Sequence, residues 1–136
     1  MTPAQPRWFS PLLLANLIAQ IGIIVTGGLV RVTGSGLGCP SWPQCVPGSY
    51  TPTVEQAEGF HKYIEFGNRS LTGVLGILAL ATVIAVWAWA PRRAMRTASV
   101  VVLGGVVGQA VLGGFTVLLG LHPATVATHF LVSMAL

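Results

Sequence analysis

Charge is what this sequence has least of: seven basic and three acidic side chains in 136 residues, where an ordinary soluble domain carries roughly a quarter charged residues. That shortage, with hydrophobic residues at 53%, excludes a soluble globular domain and marks a membrane protein. The gaps between charges are long. No Asp, Glu, Lys or Arg occurs from Trp8 to Val30, from Ser70 to Pro91, or from Thr97 onward, and each stretch reaches the roughly 20 residues that a spanning helix needs. The basic excess does not point to nucleic acid, because the arginines and the lysine stand at the ends of apolar runs and form no stripe along one face. A short apolar core followed by a small-residue cleavage site is also lacking. The first run ends in Val30, Arg31 and Val32, which reads as a retained helix and not as a signal peptide.

Cysteine is nearly as scarce. Cys39 and Cys45 are the only two; their spacing is not that of a zinc knuckle, and no histidine follows Cys45 as covalent haem attachment requires. A local disulfide is the expectation. Two roles for it stay open: a staple for an otherwise loose loop, with the modest stabilisation of a short ring, or an exposed pair that is redox-active.

What is present organises itself as an all-α integral membrane helix bundle in one domain, residues 1–136. Helices are expected at about 10–31, 63–90, 97–120 and 125–136, with an exported loop over about 32–62 that acts as a lid. Within that loop, Val54 to Tyr63 has the pattern of an amphipathic helix start, with Thr53 as N-cap and Glu55 and Gln56 in the first turn. The last run rises only about 18 Å as helix against a hydrocarbon core of about 30 Å. The expectation is therefore a fourth helix cut short, and a chain that is part of something larger. Arg7 and the segment APRRAMR, residues 90–96, place the N-terminus and the 91–96 connection on the cytoplasmic side. The same orientation exports the cysteines to where they can be oxidised.

Polar groups at membrane depth are costly and point to function. In IEFGNR, residues 64–69, Glu65 and Asn68 share a helix face, with Thr72 one turn further. His129 lies about one turn into the fourth helix on the same side of the membrane, and Arg31 closes the first helix at that level. A carboxylate, an amide, an imidazole and a guanidinium are thus expected to converge. The plainer roles are snorkelling of Arg31 and Arg69 to headgroups, an i,i+4 pair of Glu65 with Arg69, and an interhelical hydrogen bond from His129. His122 reads as a solvated turn residue, and His61 as about 10 Å above Asn68 on its face. Glycines at helical spacing, in GGLV, in VLGGVVGQAVLGG and at Gly73 and Gly76, allow close helix packing. They also leave flat faces on which a planar macrocycle fits, and a bundle core with a histidine at one end is a usual haem position.

GGLVRVTGSGLGCPSWPQC, IEFGNR, GQAVLGGFTVLLGL and ATHF occur in that order and at these separations, and together they resemble the N-terminal half of haem A synthase. The resemblance runs along nearly the whole chain. It implies a four-helix half of an eight-helix protein of the bacterial cell membrane. It implies an oxidoreductase that oxidises the C8 methyl of haem O to the formyl group of haem A by successive hydroxylations, for terminal oxidases. It further implies haem b as cofactor, held in the other half, and haem O as substrate. Haem O synthase and a second copy of the chain are candidate partners beside the lipid bilayer. Glu65 corresponds to a functionally important glutamate, His129 to the iron-binding histidine of the fourth helix, and Cys39 and Cys45 to an exported cysteine pair that can form a disulfide. Position 68 departs from the commoner pattern, which has a second histidine there. With Asn68 the iron has one imidazole ligand, and the other side is open or water-bound. Arg31 and Arg69 are candidates for propionate pairing. The alternative is a membrane haem carrier or electron-transfer cytochrome that binds haem without altering it.

Overall fold

The computed structural model describes residues 4–90 and 92–136, and among these the regular structure is entirely helical. Helix α1 spans Phe9–Val32, α2 His61–Trp89, α3 Arg93–Leu118 and α4 Pro123–Ala135. The first three, at 24, 29 and 26 residues, are long and apolar enough to cross a membrane. Each covers more than the roughly 30 Å of a hydrocarbon core at 1.5 Å per residue.

The helices close into a ring. Helix α1 packs on α2 and α4, and α3 packs on α2 and α4, with no close backbone approach across either diagonal among the described residues. Apolar packing is concentrated on α2, where Leu75 and Ala79 meet Val106 of α3, with Ala19 and Ile23 of α1 against them. Nearer the α2–α3 connection, Phe9 packs with Ala85, Val86 and Ala90, and the Trp8 and Trp89 rings meet edge to face at 4.9 Å. Two polar links cross from α1 to α2: Asn16 Nδ2 donates to Thr82 Oγ1 at 3.2 Å, and Thr26 Oγ1 donates to Asn68 Oδ1 at 2.7 Å. Such bonds hold helices together where lipid offers no hydrophobic drive for association. Large side chains such as Ile18, Val25, Ile77, Ile84 and Val107 face outward and are exposed, as a lipid-facing surface requires.

Both helices that end on the loop side stop in the same way. At the end of α1, Gly34 has φ +67°, Ser35 N donates to Val30 O, and Gly34 N donates to Arg31 O. After α3, Gly120 has φ +60°, Leu121 N donates to Thr116 O, and Gly120 N donates to Val117 O. These are Schellman closures, in which a left-handed glycine lets the next two amides satisfy the last carbonyls of the helix. Pro123 then opens α4 after His122 as N-cap, the position where a missing N–H costs nothing.

The amphipathic helix expected from Val54 is not formed. Residues 54–60 are turns and α2 starts at His61. Gln56 does accept from Thr53 N at 3.3 Å, the backward arm of a capping box, but its amide nitrogen is drawn away to Gly38 O. Gly59, at φ +57°, then breaks the chain direction. Lys62, buried, donates to Thr53 O at 2.6 Å and Val54 O at 3.2 Å, satisfying carbonyls that helix formation would have used.

Candidate functional site

The segment between α1 and α2 folds back over the N-terminal end of α2, fastened by a disulfide and an ion pair. Cys39 and Cys45 are bonded, with S–S 2.04 Å, and both are fully buried. Beneath them stands Glu65, one turn into α2 and only 5% exposed. Its Oε2 accepts from Cys39 N at 2.8 Å, and its Oε1 accepts from Arg69 Nε at 3.0 Å and Nη2 at 2.5 Å. The i,i+4 spacing of the two residues on one helix face makes the pair possible.

Arg69 goes further than an ordinary helix pair. Its Nη1 donates to Ser41 O at 2.8 Å and Gln44 O at 3.2 Å, and Nη2 donates to Cys39 O at 2.6 Å. A guanidinium has five N–H groups in a planar fork, and every one of them is taken by Glu65 or by a loop carbonyl. The plainer i,i+4 pairing with Glu65 is what forms, and the loop carbonyls take the remaining N–H groups.

The loop is seated by close backbone approaches. A Cβ at Gly38 would collide with the backbone of His61, so the loop reaches α2 more closely there than any other residue permits. Trp42 lies on α3 at Gly114, where a Cβ would stand 2.5 Å from the indole. Gly36 meets the Leu121 side chain of the α3–α4 turn. A hydroxyl chain adds to this: Thr33 Oγ1 and Ser35 Oγ are 2.6 Å apart, and Ser35 Oγ lies 2.9 Å from His61 Nδ1. Ser35 is fully buried, so His61 serves the loop seat.

The remaining site candidates make no hydrogen bond to this latch among the described residues. Asn68 faces α1 through Thr26, and Thr72 Oγ1 donates back to Asn68 O at 3.2 Å. His129 sits on α4 against α3, its ring edge near the Cβ direction of Gly113, and its Nδ1 is buried without a hydrogen-bond partner. Arg31 is exposed and its side chain makes no hydrogen bond or ion pair among the described residues. Among the described residues no group of three or more His, Cys, Asp or Glu is set to hold a metal ion. The four groups expected to converge each have a setting of their own and make no hydrogen bond or ion pair with one another among the described residues. Depth puts residues at one level, but helix rotation decides which neighbour each one meets.

Several polar residues escaped the sequence reading. Gln109, one turn before Gly113 on α3, has both side-chain polar atoms buried and unpartnered, as does Asn16 at Oδ1 and Gln20 at Nε2. The signal was present, since an uncharged amide inside a spanning run is itself a costly group. His122 is exposed and accepts from Ala124 N through Nδ1 at 3.4 Å, in line with a solvated turn residue.

Comparison with known proteins gives one consistent result. The family described as COX15-CtaA, cytochrome oxidase assembly protein, matches residues 10–136. Heme A synthase of Alkalihalophilus pseudofirmus is 34% identical over 125 residues, covering 87% of this chain and 40% of that protein. Heme A synthase of Bacillus licheniformis is 35% identical over 125 residues (89% and 39%), and that of Geobacillus kaustophilus 32% over 136 residues (94% and 39%). The chain thus spans about 40% of the length of these relatives. No solved structure matches.

Proposed function

The chain belongs to the COX15-CtaA family of cytochrome oxidase assembly proteins, and from that premise we propose that it supplies the N-terminal helices of a haem A synthase. The reaction is oxidation of the C8 methyl of haem O by two successive hydroxylations, after which the gem-diol loses water to leave the formyl group. Each hydroxylation takes its oxygen from water and releases two protons and two electrons, and the electrons leave to an acceptor outside this chain. Haem b, when bound, supplies redox chemistry in the part of the synthase beyond these residues, and haem O is the substrate on this side.

The observation that carries the reading is His129. An imidazole nitrogen buried in a membrane helix without a partner is costly, and a metal ion taking its lone pair removes that cost. The residues present fit a haem held by one histidine: His129 would hold the iron, while Asn68 is a neutral amide whose oxygen already accepts from Thr26 and would leave the iron without a second imidazole. Space for a flat ligand is consistent with Gly27 and Gly28 on α1 and Gly73 and Gly76 on α2, none of which has an atom within 4 Å of its Cβ position.

In this reading Glu65 and Arg69 act first as positioning residues. They hold the disulfide-bonded loop as a cover over the outer end of the bundle, and an excluded-water site strengthens every polar contact made to the substrate. Glu65 is also the one carboxylate at this depth, and proton acceptance near the methyl carbon is the second role assigned to it.

The test is mass spectrometry of haem extracted from the full-length synthase carrying this sequence, made in cells that produce haem O but no haem A. Haem A or its hydroxylated precursor is the expected product, lost in His129→Ala. Unmodified haem retained by a folded protein would support the carrier reading in its place.

A further inference from the structure

The end of the bundle opposite the disulfide loop carries a groove of about 560 Å³, lined by Trp87 of α2 and by Arg93, Arg96, Thr97, Val100 and Val101 of α3. Its wall changes character along α3. Two guanidinium groups occupy the first turn, a hydroxyl follows at Thr97, and the exposed side chains of Val100 and Val101 continue toward the middle of the helix. That order, charge and then hydrocarbon over about two turns, matches the profile of a phospholipid from headgroup to acyl chain.

The charge at this end has no counterpart in the protein. The acidic residues are Glu55, Glu58 and Glu65, all in the loop or the first turns of α2 at the far side of the molecule, whereas Arg92, Arg93 and Arg96 cluster here. Arg93 is exposed and its side chain makes no hydrogen bond or ion pair among the described residues. Arg96 is already placed: Nε donates to Ala90 O and Nη2 to Trp87 O, both at 3.2 Å, and its guanidinium carbon lies 5.4 Å from the centre of the Trp87 ring. A fixed cation beside an indole at the membrane interface is a pre-ordered receptor, because its ordering entropy is spent in folding and not in binding. The first turn of α3 adds to the positive field, since Arg92 as N-cap makes no side-chain cap bond and the amides of a helix start attract anions.

We infer that this groove binds one anionic phospholipid, with its phosphodiester against Arg93, Arg96 and the α3 start and an acyl chain along Val100 and Val101. A zwitterionic lipid brings no net charge to offset the arginines, and inorganic phosphate makes no use of the valines. The inference is independent of the haem reading and concerns the other end of the molecule.

Native mass spectrometry of the full chain released from nanodiscs of equal phosphatidylglycerol and phosphatidylcholine tests it. One phosphatidylglycerol is expected to stay bound in preference to phosphatidylcholine. Arg93→Gln is expected to lower its retention about fivefold, the weight of one arginine near an anionic surface. Arg92→Gln, whose side chain does not line the groove, is expected to change it less than twofold. Equal retention of the two lipids by the unsubstituted chain overturns the site. So does an equal loss in the two variants, which is the mark of diffuse attraction to a charged surface. Both substitutions are at exposed residues, so folding is not at stake.

Discussion

Arg69 shows how one side chain can carry a whole segment. Its contacts run to Glu65 four residues before it and to carbonyls 25 to 30 residues upstream. The first contact was legible, because i,i+4 spacing puts both groups on one helix face. The rest was not, since the acceptors are backbone oxygens of Cys39, Ser41 and Gln44, and every residue type offers one. Removing the guanidinium strands Glu65 and three carbonyls together, at a cost of about 3 kcal/mol, the lower part of the range for a buried charge that loses its partner. Arg69→Gln is therefore expected to make residues 46–58 susceptible to limited proteolysis that the unsubstituted protein resists. Glu65→Gln keeps an oxygen for Cys39 N–H while losing the charge. If that variant keeps the loop protected but abolishes conversion of haem O in the full-length synthase, the carboxylate does chemistry beyond holding the loop. If conversion survives, its role is positional and proton transfer lies elsewhere.

At the scale of the element, the spanning helices follow from uninterrupted apolar runs, and their existence needed no structure. The loop is where local pattern misled. Val54 to Tyr63 has helix-start residues in order, yet Gln56 and Lys62 spend their side chains on Gly38, Thr53 and Val54, so tertiary contacts outweigh a weak local preference. The glycines likewise look alike in sequence and differ in place. Gly38 faces the His61 backbone, whereas Gly67 in α2 has nothing within 4 Å of its Cβ position. Gly38→Ala is expected to push the loop off α2 and lower the midpoint of thermal unfolding, because backbone cannot move aside as a flexible side chain can. Gly67→Ala is expected to raise it, through a gain in stability of up to about 1 kcal/mol from helix propensity. A differential thermal melt of the two variants in the same detergent checks both signs. Equal effects would mean that the loop is not seated where Gly38 puts it.

The whole molecule is strongly polarised along its axis. All three acidic residues, the disulfide and the buried Glu65–Arg69 pair lie toward one end, and Arg92, Arg93 and Arg96 lie at the other. The arginine end is expected to lie in the cytoplasm by the positive-inside rule, which counts Lys and Arg near the ends of spans. Arg31, Lys62 and Arg69 narrow that margin in a simple count. The structure removes two of them from the balance, because Lys62 is buried against loop carbonyls and Arg69 is matched by Glu65, leaving Arg31 as the exposed cation on the loop side. The orientation that follows exports residues 33–60 and lets the disulfide form in an oxidising compartment. In intact cells, a cysteine introduced at exposed Val54 in a Cys39→Ser, Cys45→Ser background is expected to react with an impermeant maleimide. A cysteine introduced at exposed Ala94 in a Cys39→Ser, Cys45→Ser background is expected to react only after the membrane is opened. The reverse pattern would place the arginines outside, and with them the anionic-lipid groove in the outer leaflet. It would leave the disulfide in a reducing compartment, where a covalent staple does not persist and the Glu65–Arg69 pair alone would have to hold the loop.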